Sequence, residues 1–138
     1  MADTLKLEIV TPETTIYSED VEMVTLPGSE GEAGIYPNHV PLMTRVQAGE
    51  IIVNRGGTEE VVAIGEGFAE ITGDHIAILT DNAANSADID EAAAEEAKAK
   101  AEQRLEEGGD ISEEEAKALT HAILYSQAQI TAKRRKRG

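Results

Sequence analysis

The sequence predicts a β-sandwich N-terminal domain followed by a C-terminal antiparallel α-helical hairpin. Up to about residue 81, apolar and polar residues alternate in short runs separated by turn-forming glycines, as in antiparallel sheets without crossover helices. At Ala83 the composition changes abruptly, and the segment that follows is rich in alanine, glutamate and lysine with apolar residues at helical spacing. We therefore place the domains at residues 1–86 and 87–138.

The predicted strands begin with Leu5–Ile9, where leucine and isoleucine alternate with lysine and glutamate. Gly56-Gly57 and Gly73-Asp74 mark turns between later runs, since glycine adopts the backbone angles that tight turns need. Many short strands at this spacing predict an antiparallel sandwich or barrel. The further predicted strands are Val21–Leu26, Glu50–Asn54, Glu60–Ile64, Phe68–Thr72 and His75–Thr80.

Two helices are predicted after the sandwich. Asp88 is placed to cap the first, with Glu91 three residues later, and acidic residues in a first turn suit the positive end of the helix dipole. Gly108-Gly109 ends this helix and reverses the chain. Ser112–Glu115 then matches the capping box that begins a second helix. The chain therefore predicts a helical hairpin.

Each predicted helix carries a stripe of small or aliphatic side chains. A buried methyl-sized group contributes only about 0.8 kcal/mol, and conformational entropy opposes it, so this hairpin is predicted to be weakly held. Composition leaves two interpretations open: a helical appendage with one conformation, or a hairpin that opens onto another partner. The predicted stripes are Ile89, Ala93, Ala97, Ala101 and Leu105 in the first helix, and Ala116, Leu119, Ile123 and Ile130 in the second.

The formal net charge of -15 excludes a general nucleic-acid binder, because phosphate would be repelled. The charge is unevenly distributed: residues 1–87 contain 3 basic and 15 acidic residues, whereas residues 88–138 contain 9 and 12. Five bases form one run, which we call the basic tail. It could complete the C-terminal end of a helix, bind an anionic polymer or lipid, or contact an acidic protein surface. The basic tail is Lys133, Arg134, Arg135, Lys136 and Arg137.

The sequence predicts a non-catalytic protein without a cofactor or a metal. The absence of cysteine excludes thiol catalysis, disulfides and cysteine-ligated metals. His39, His75 and His121 each lack a histidine three or four residues away, so none forms a metal-binding pair of that spacing. Gly65-Glu66-Gly67 is not a dinucleotide-binding motif, because no βαβ unit surrounds it.

No segment approaches the roughly 18 consecutive apolar residues that a membrane-spanning helix requires. The first residues, Met1–Lys6, match neither a secretory signal peptide nor an arginine-rich transit peptide. We therefore expect the protein to stay in the compartment where it is made and to meet a membrane only through a partner.

The segment Gly28–Thr44, GSEGEAGIYPNHVPLMT, closely resembles the signature of ATP synthase epsilon subunits. Leu7–Glu13 is similar to the first strand of that family and its exit, and Gly67–Ile71 with His75–Leu79 to the last two strands. Ile89–Ala92 lies where the family's helical part begins. The resemblance covers essentially the whole chain and implies a flattened β-sandwich followed by a helical hairpin.

The resemblance implies a non-catalytic rotor subunit in the central stalk of an F-type ATP synthase, which links the gamma subunit to the ring of c subunits. By their positions in the motif, Glu32 and His39 are expected to lie near the c ring, in a loop that matches Glu30–Pro41. The implied location is peripheral, on the cytoplasmic face of the bacterial plasma membrane. The alternative function is a free-standing acidic β-sandwich protein-binding module with a helical tail.

The resemblance also implies that the hairpin regulates the complex. In many bacterial members, the hairpin can extend along the stalk and inhibit ATP hydrolysis. The second helix would then contact an acidic loop of the catalytic beta subunits, and the alpha subunits as well. The implied contact residues are those of the basic tail: Lys133, Arg134, Arg135, Lys136 and Arg137.

One departure from the family pattern concerns nucleotide. The helix-opening motif of some members has an arginine and binds ATP, whereas Ala93 occupies that position here. Without this cation, nothing at the motif neutralises a phosphate. We therefore expect no nucleotide binding at the hairpin.

Overall fold

The computed structural model describes residues 4–28 and 31–137, without the side chains of residues 136 and 137. Ten strands form two five-stranded sheets, and two helices follow. This arrangement confirms the predicted fold class. The strands are β1 (Leu5–Val10), β2 (Thr15–Val21), β3 (Met23–Gly28), β4 (Gly31–Ile35), β5 (Leu42–Val46), β6 (Gly49–Arg55), β7 (Thr58–Ile64), β8 (Gly67–Thr72), β9 (His75–Thr80) and β10 (Ala83–Asn85), and the helices are α1 (Glu91–Glu107) and α2 (Glu113–Arg137).

Each sheet combines strands that are neighbours in the sequence with strands that are far apart in it. Sheet 1 has the strand order β2-β1-β9-β8-β5, and sheet 2 has the order β10-β7-β6-β3-β4. Within the described strands, the pairs are antiparallel except for β1 and β9, which are parallel. The parallel register runs from Lys6 opposite His75 to Val10 opposite Leu79. The first strand is thus held between a near neighbour and the ninth strand.

The core lies between the sheets and is aliphatic. Alternate residues of each strand point inward, so Leu5, Leu7 and Ile9 of β1 are buried while the residues between them are partly exposed. Tyr17 is the one aromatic side chain in this core among the described residues, and its hydroxyl donates to Glu60 Oε1 at 2.7 Å. Burial, with the Glu60 carboxylate, raises the pKa of Tyr17, so the phenol stays protonated and its hydrogen bond joins the two sheets.

Four strands were not predicted: β2, β4, β5 and β10. The predicted strand Val21–Leu26 in fact contains the end of β2 and most of β3. β4 and β5 are edge strands whose residues are mostly exposed. They therefore lack the alternation of apolar and polar residues from which a strand is predicted. The predicted loop Glu30–Pro41 is correspondingly wrong in part, because residues 31–35 form β4.

The start of the first helix also differs from the prediction. Asn85 caps a short 3₁₀ turn over Ser86–Asp88, so Asp88 lies inside that turn and caps nothing. Asp90 caps α1 instead, with its carboxylate accepting a hydrogen bond from the Ala93 amide at 3.1 Å. The predicted cap of the second helix is confirmed in its serine half, since Ser112 Oγ accepts from the Glu115 amide at 3.0 Å, while the Glu115 carboxylate pairs with Arg104.

The predicted stripe on the first helix is wrong in its middle. Ala94 and Ala101 are buried, whereas Ala93 and Ala97 are exposed. A helix turns through 3.6 residues, so a row taken at every fourth residue drifts around the axis, and spacings of three and four alternate along a straight contact. On α2, Ile130 of the predicted stripe is buried, and Leu119 is half-buried.

Gly67, the first residue of β8, is the position where a side chain is least tolerated. A Cβ at Gly67 would overlap the backbone carbonyl oxygen of Leu79. We expect Gly67→Ala to lower the free energy of unfolding by roughly 1–3 kcal/mol, because sheet backbone must move to make room. Urea denaturation measures this. Gly73→Ala is the control, since nothing lies within 4 Å of its Cβ position. Equal stability of the two variants would contradict the close approach of β8 and β9.

Candidate functional site

A row of three apolar side chains and one arginine crosses the outer face of sheet 1. Val10 lies opposite Leu79, Leu79 opposite Phe68, and Phe68 opposite Arg45, so the four side chains cross β1, β9, β8 and β5 in register. Leu79 and Phe68 are 53% and 50% exposed. The guanidinium carbon of Arg45 lies 5.5 Å from the centre of the Phe68 ring, within range of a cation–π contact. We call these four residues the sheet 1 row.

More exposed apolar side chains lie in the segment that leads into and begins β5. Tyr36, Val40, Leu42 and Met43 are all between 47% and 71% exposed. Met43 lies opposite Glu70 of β8, the strand that carries Phe68. Large apolar side chains clustered on a surface indicate a binding site for another protein more often than a solvated face. This edge and face of sheet 1 are therefore the candidate docking surface.

A groove of ≈ 490 Å³ lies beside the sheet 1 row. The row forms one wall, and Leu124 and His121 of α2 form part of the other. His121 Nε2 lies 3.0 Å from Glu66 Oε1 at the turn between β7 and β8. The hairpin thus borders the same surface that exposes Phe68.

The structure places Glu32 and His39 in different elements. Glu32 is an exposed residue of β4, opposite Pro27, so it lies in a strand and not in the predicted loop. His39 lies in the connection from β4 to β5, where its Nδ1 is 2.7 Å from the Val40 carbonyl oxygen. The preceding residue, Asn38, has a positive φ of 68°, and its amide donates to the Gly73 carbonyl at 2.6 Å. The connection is therefore fixed to the turn between β8 and β9.

α2 lies over β6 and β7 on the outer face of sheet 2, while β4 of the same sheet is mostly exposed. Val61 and Ala63 of β7 form a second buried apolar cluster with Ile89, Ala128 and Ala132. Tyr125 and Ala84 pack beside this cluster, and burial raises the pKa of the Tyr125 phenol, which stays neutral. The cluster is mostly alanine, so it brings the helix close to the sheet while burying little side chain.

The last turns of α2 are held by charged contacts to the rest of the chain. Arg135 Nε lies 2.8 Å from Glu50 Oε2, and a second guanidinium nitrogen lies 3.4 Å from Oε1, which makes a forked pair with β6. The Glu50 side chain is only 11% exposed. Lys133 Nζ donates to the Ser86 carbonyl oxygen at 3.2 Å.

Arg134, one residue earlier, pairs with the other helix. Its Nε lies 3.0 Å from Glu91 Oε2, and its Nη2 lies 2.8 Å from Glu95 Oε1. Hydrogen bonds to the Glu91 carboxylate raise the pKa of Arg134, and those to Glu50 raise that of Arg135, so both remain cations. Three of the five predicted contact bases thus have partners within this chain. The side chains of Lys136 and Arg137 lie outside the described part of the structure.

The two helices carry further polar contacts near the altered nucleotide motif. Lys98 Nζ donates to Gln127 Oε1 at 2.7 Å, Lys100 pairs with Glu96 at 3.1 Å, and Arg104 pairs with Glu115 at 3.3 Å. These cations are therefore already engaged by acceptors of the chain. Within residues 4–28 and 31–137, no group of three or more histidine or acidic residues could hold a metal, and no helix there is long and apolar enough to span a membrane.

The sequence-based prediction missed the sheet 1 row and Glu50. Phe68 could have been found, because in Phe68–Thr72 it shares the outward face with Glu70 and Thr72 while Ala69 and Ile71 point inward. An aromatic residue on the polar face of a strand is an indication of an interface. Glu50 could not have been found this way, since its partner Arg135 is 85 residues away in sequence.

Comparison with known proteins gives the family. The profile of the family described as ATP synthase, Delta/Epsilon chain, beta-sandwich domain matches residues 4–86. The ATP synthase epsilon chain of Desulforamulus reducens is 41% identical over 125 residues, which is 90% of this chain and 95% of that protein. The epsilon chain of Dehalococcoides mccartyi strain BAV1 is 39% identical over 135 residues, or 96% of this chain and 95% of that one.

Solved structures agree on the fold. A chain of the Euglena gracilis mitochondrial ATP synthase, in a structure of its OSCP, F1 and c-ring, superposes with a TM-score of 0.74 at 21% identity, over 94% of this chain and 81% of that one. A chain of the Tetrahymena thermophila mitochondrial ATP synthase central stalk and c-ring superposes with a TM-score of 0.57 at 10% identity, over 94% and 96%. The profile match and the sequence relatives together show that this chain belongs to the epsilon-chain family of ATP synthases.

Proposed function

We propose that this chain is a non-catalytic rotor subunit of the central stalk of a bacterial ATP synthase, which links the gamma subunit to the c ring. The observation that carries the proposal is the asymmetry of the sandwich: α2 packs over β6 and β7 on the outer face of sheet 2, whereas sheet 1 exposes an apolar row of its own. A protein with one self-covered face and one exposed apolar face is built to be held by a partner through the second.

The sheet 1 row is the proposed surface for gamma. Its apolar side chains suit a helical or extended partner, and Arg45 places a cation over the ring of Phe68. The groove beside Leu124 would receive a single large side chain of the partner. Because α2 supplies one wall of that groove, the resting hairpin would add to the docking surface for gamma.

The connection from β4 to β5 is the proposed surface for the c ring. Glu32 and His39 remain the residues we expect near the ring, Glu32 as the exposed acid of β4 and His39 as a polar group on a connection held by Pro37 and Pro41. The Asn38 hydrogen bond to Gly73 limits the motion of this connection. A stiff polar connection of this kind suits a contact that must transmit torque.

The hairpin, residues 87–138, is the proposed regulatory domain, and residues 1–86 are the proposed docking domain. The sheets end at Asn85 and α1 begins at Glu91, so the division falls where the strands are complete. We propose that the hairpin inhibits ATP hydrolysis when it leaves sheet 2 and extends toward the catalytic beta and alpha subunits. The basic tail would then contact acidic side chains of those subunits.

We place the protein at the cytoplasmic face of the bacterial plasma membrane, as a peripheral subunit that meets the membrane only through the c ring. We propose no nucleotide at the hairpin, since Ala93 replaces the motif arginine and Lys98, Lys100 and Arg104 each have acceptors.

The alternative function is a free-standing protein-binding module, and the two functions differ in whether the protein is isolated with an ATP synthase complex. Co-purification with a proton-translocating ATPase supports the rotor subunit, and persistent isolation as a free monomer supports the module.

The contact with gamma can be tested through Phe68. We expect Phe68→Ser to weaken binding to an ATP synthase F1 complex depleted of its epsilon chain by about 10- to 100-fold, as for a buried aromatic anchor. Because Phe68 is half-exposed in the free chain, the free energy of unfolding in urea should differ little between the variant and the wild type. Surface plasmon resonance measures the affinity. Ala118→Ser, at an exposed position of α2, is the control. Undiminished affinity of Phe68→Ser would move the gamma contact off sheet 1.

The contact with the c ring can be tested through Glu32 and His39. We expect Glu32→Lys, or His39→Trp, to reduce ATP-driven proton pumping while ATP hydrolysis continues, because the rotor would slip against the ring. Asp20→Lys, an exposed charge reversal on β2 at the opposite edge of sheet 1, is the matched control. Since the charge of Glu32 also acts on Arg135, the comparison is made in chains that lack residues 88–138. Full pumping by both variants would remove this connection from the ring interface.

The inhibitory role can be tested by truncation. We expect deletion of residues 88–138 to raise ATP hydrolysis by the reconstituted complex several-fold, because the proposed extended state is no longer available. Circular dichroism of the truncated chain checks that the sandwich stays folded, as a complete set of strands predicts. Equal hydrolysis with the intact and truncated chains would leave only the coupling role.

A further inference from the structure

The basic tail of α2 has two neighbouring arginines with different tasks. Arg134 pairs with Glu91 and Glu95 of α1 and so holds helix to helix. Arg135 pairs with Glu50 of β6 and so holds the hairpin to the sandwich. One residue of offset on a helix is a rotation of about 100°, which points the two guanidinium groups at different elements.

The pairing of Arg135 has the geometry of a specific contact. Two nitrogens of one guanidinium face the two oxygens of one carboxylate, at 2.8 and 3.4 Å. Glu50 is nearly buried, at 11% exposure, while Arg135 is 42% exposed. The negative charges of Glu59 and Glu32 also act on Arg135, so the cation lies in the field of three acidic residues of sheet 2. A helix end that is merely solvated would not require three acidic residues around one of its arginines.

Among the described residues, the other contacts of α2 outside the hairpin are an apolar cluster with Tyr125 beside it, the pair of His121 with Glu66, and the hydrogen bond from Lys133 to Ser86. The buried cluster beneath α2 consists of Val61, Ala63 and Ile89 against Ala128 and Ala132. Alanine removes little apolar surface from water, so this cluster alone gives the hairpin a weak hold. A forked charge pair at the end of such a helix therefore weighs heavily in how often the hairpin leaves.

We infer that Arg135 and Glu50 form a clasp that sets the fraction of time the hairpin spends on sheet 2. The regulatory meaning of the clasp rests on the proposed function, but the clasp itself belongs to the isolated chain. It implies that the basic tail serves the resting state as well as the extended one. Acidic residues of sheet 2 and acidic residues of the catalytic subunits would then compete for the same cations.

The first experiment measures hairpin position in the isolated full chain. Because the chain has no cysteine, Asp20→Cys and Asp110→Cys give one dye on the sandwich and one at the hairpin turn. Single-molecule energy transfer then gives the open fraction. We expect Glu50→Gln and Arg135→Ala each to raise it about three- to tenfold. The charge swap Glu50→Arg with Arg135→Glu should restore it.

Two controls separate a clasp from a general charge effect. Arg134→Ala removes the same charge one residue away and should change the open fraction less than about twofold, since its partners are on α1. Raising the ionic strength should open the wild-type hairpin, because salt screens the pair, and should affect Glu50→Gln less. Equal opening by Arg134→Ala and Arg135→Ala, or no opening by Glu50→Gln, would overturn the clasp.

The second experiment connects the clasp with regulation. Glu50→Gln leaves the basic tail intact, so in the reconstituted complex it should lower ATP hydrolysis, the opposite of truncation. A variant that opens the isolated hairpin without changing hydrolysis would support the clasp and contradict the inhibitory role. Increased hydrolysis with Glu50→Gln would contradict the clasp as a restraint on inhibition.

Discussion

Strand β7 is buried on both of its faces, and the arrangement of the molecule depends on this. Val62 and Ile64 point into the core between the sheets, while Val61 and Ala63 point outward under α2. A strand that is apolar on both faces needs a second layer, because its outer side chains would otherwise remain in water. α2 supplies that layer, after the 3₁₀ turn at Ser86–Asp88 has led the chain from β10 into α1.

As a consequence, the outer faces of the two sheets have different surroundings. On the outer face of sheet 2, β6 and β7 are packed under the chain's own hairpin, while Glu32 of β4 stays exposed. On sheet 1, Phe68 and Leu79 are half-exposed. The proposed gamma surface and the packing surface of the hairpin therefore lie on different sheets of the sandwich.

The sequence predicted the elements whose patterning is local. In β1, leucine and isoleucine alternate with lysine and glutamate, and the cap at Ser112 joins residues three positions apart, so both were predicted correctly. The edge strands β4 and β5 escaped because exposed strands lack that alternation. The cap of α1 was misplaced because Asp88 and Asp90 are chemically alike, and only the path of the chain decides between them.

The candidate surfaces were predictable only in part, for a related reason. Glu32 and His39 were chosen by resemblance, which gives a position in a motif but not a neighbour. The proximity of Glu32 to Arg135 depends on how α2 lies across sheet 2, and that packing involves residues about a hundred positions apart. The basic tail was visible in the sequence, whereas its division between Arg134 and Arg135 depends on helix rotation.

The parallel pairing of β1 with β9 bears on the order in which the two sheets form during synthesis. β1 can pair with β2 as soon as both have been synthesised, but its other edge stays open until residues 75–80 follow. Contacts this distant in sequence are slow to form. Sheet 1 therefore closes late, shortly before β10 completes sheet 2. α1 and α2 follow the strands of both sheets in the chain, so the strands on which α2 packs are synthesised before it.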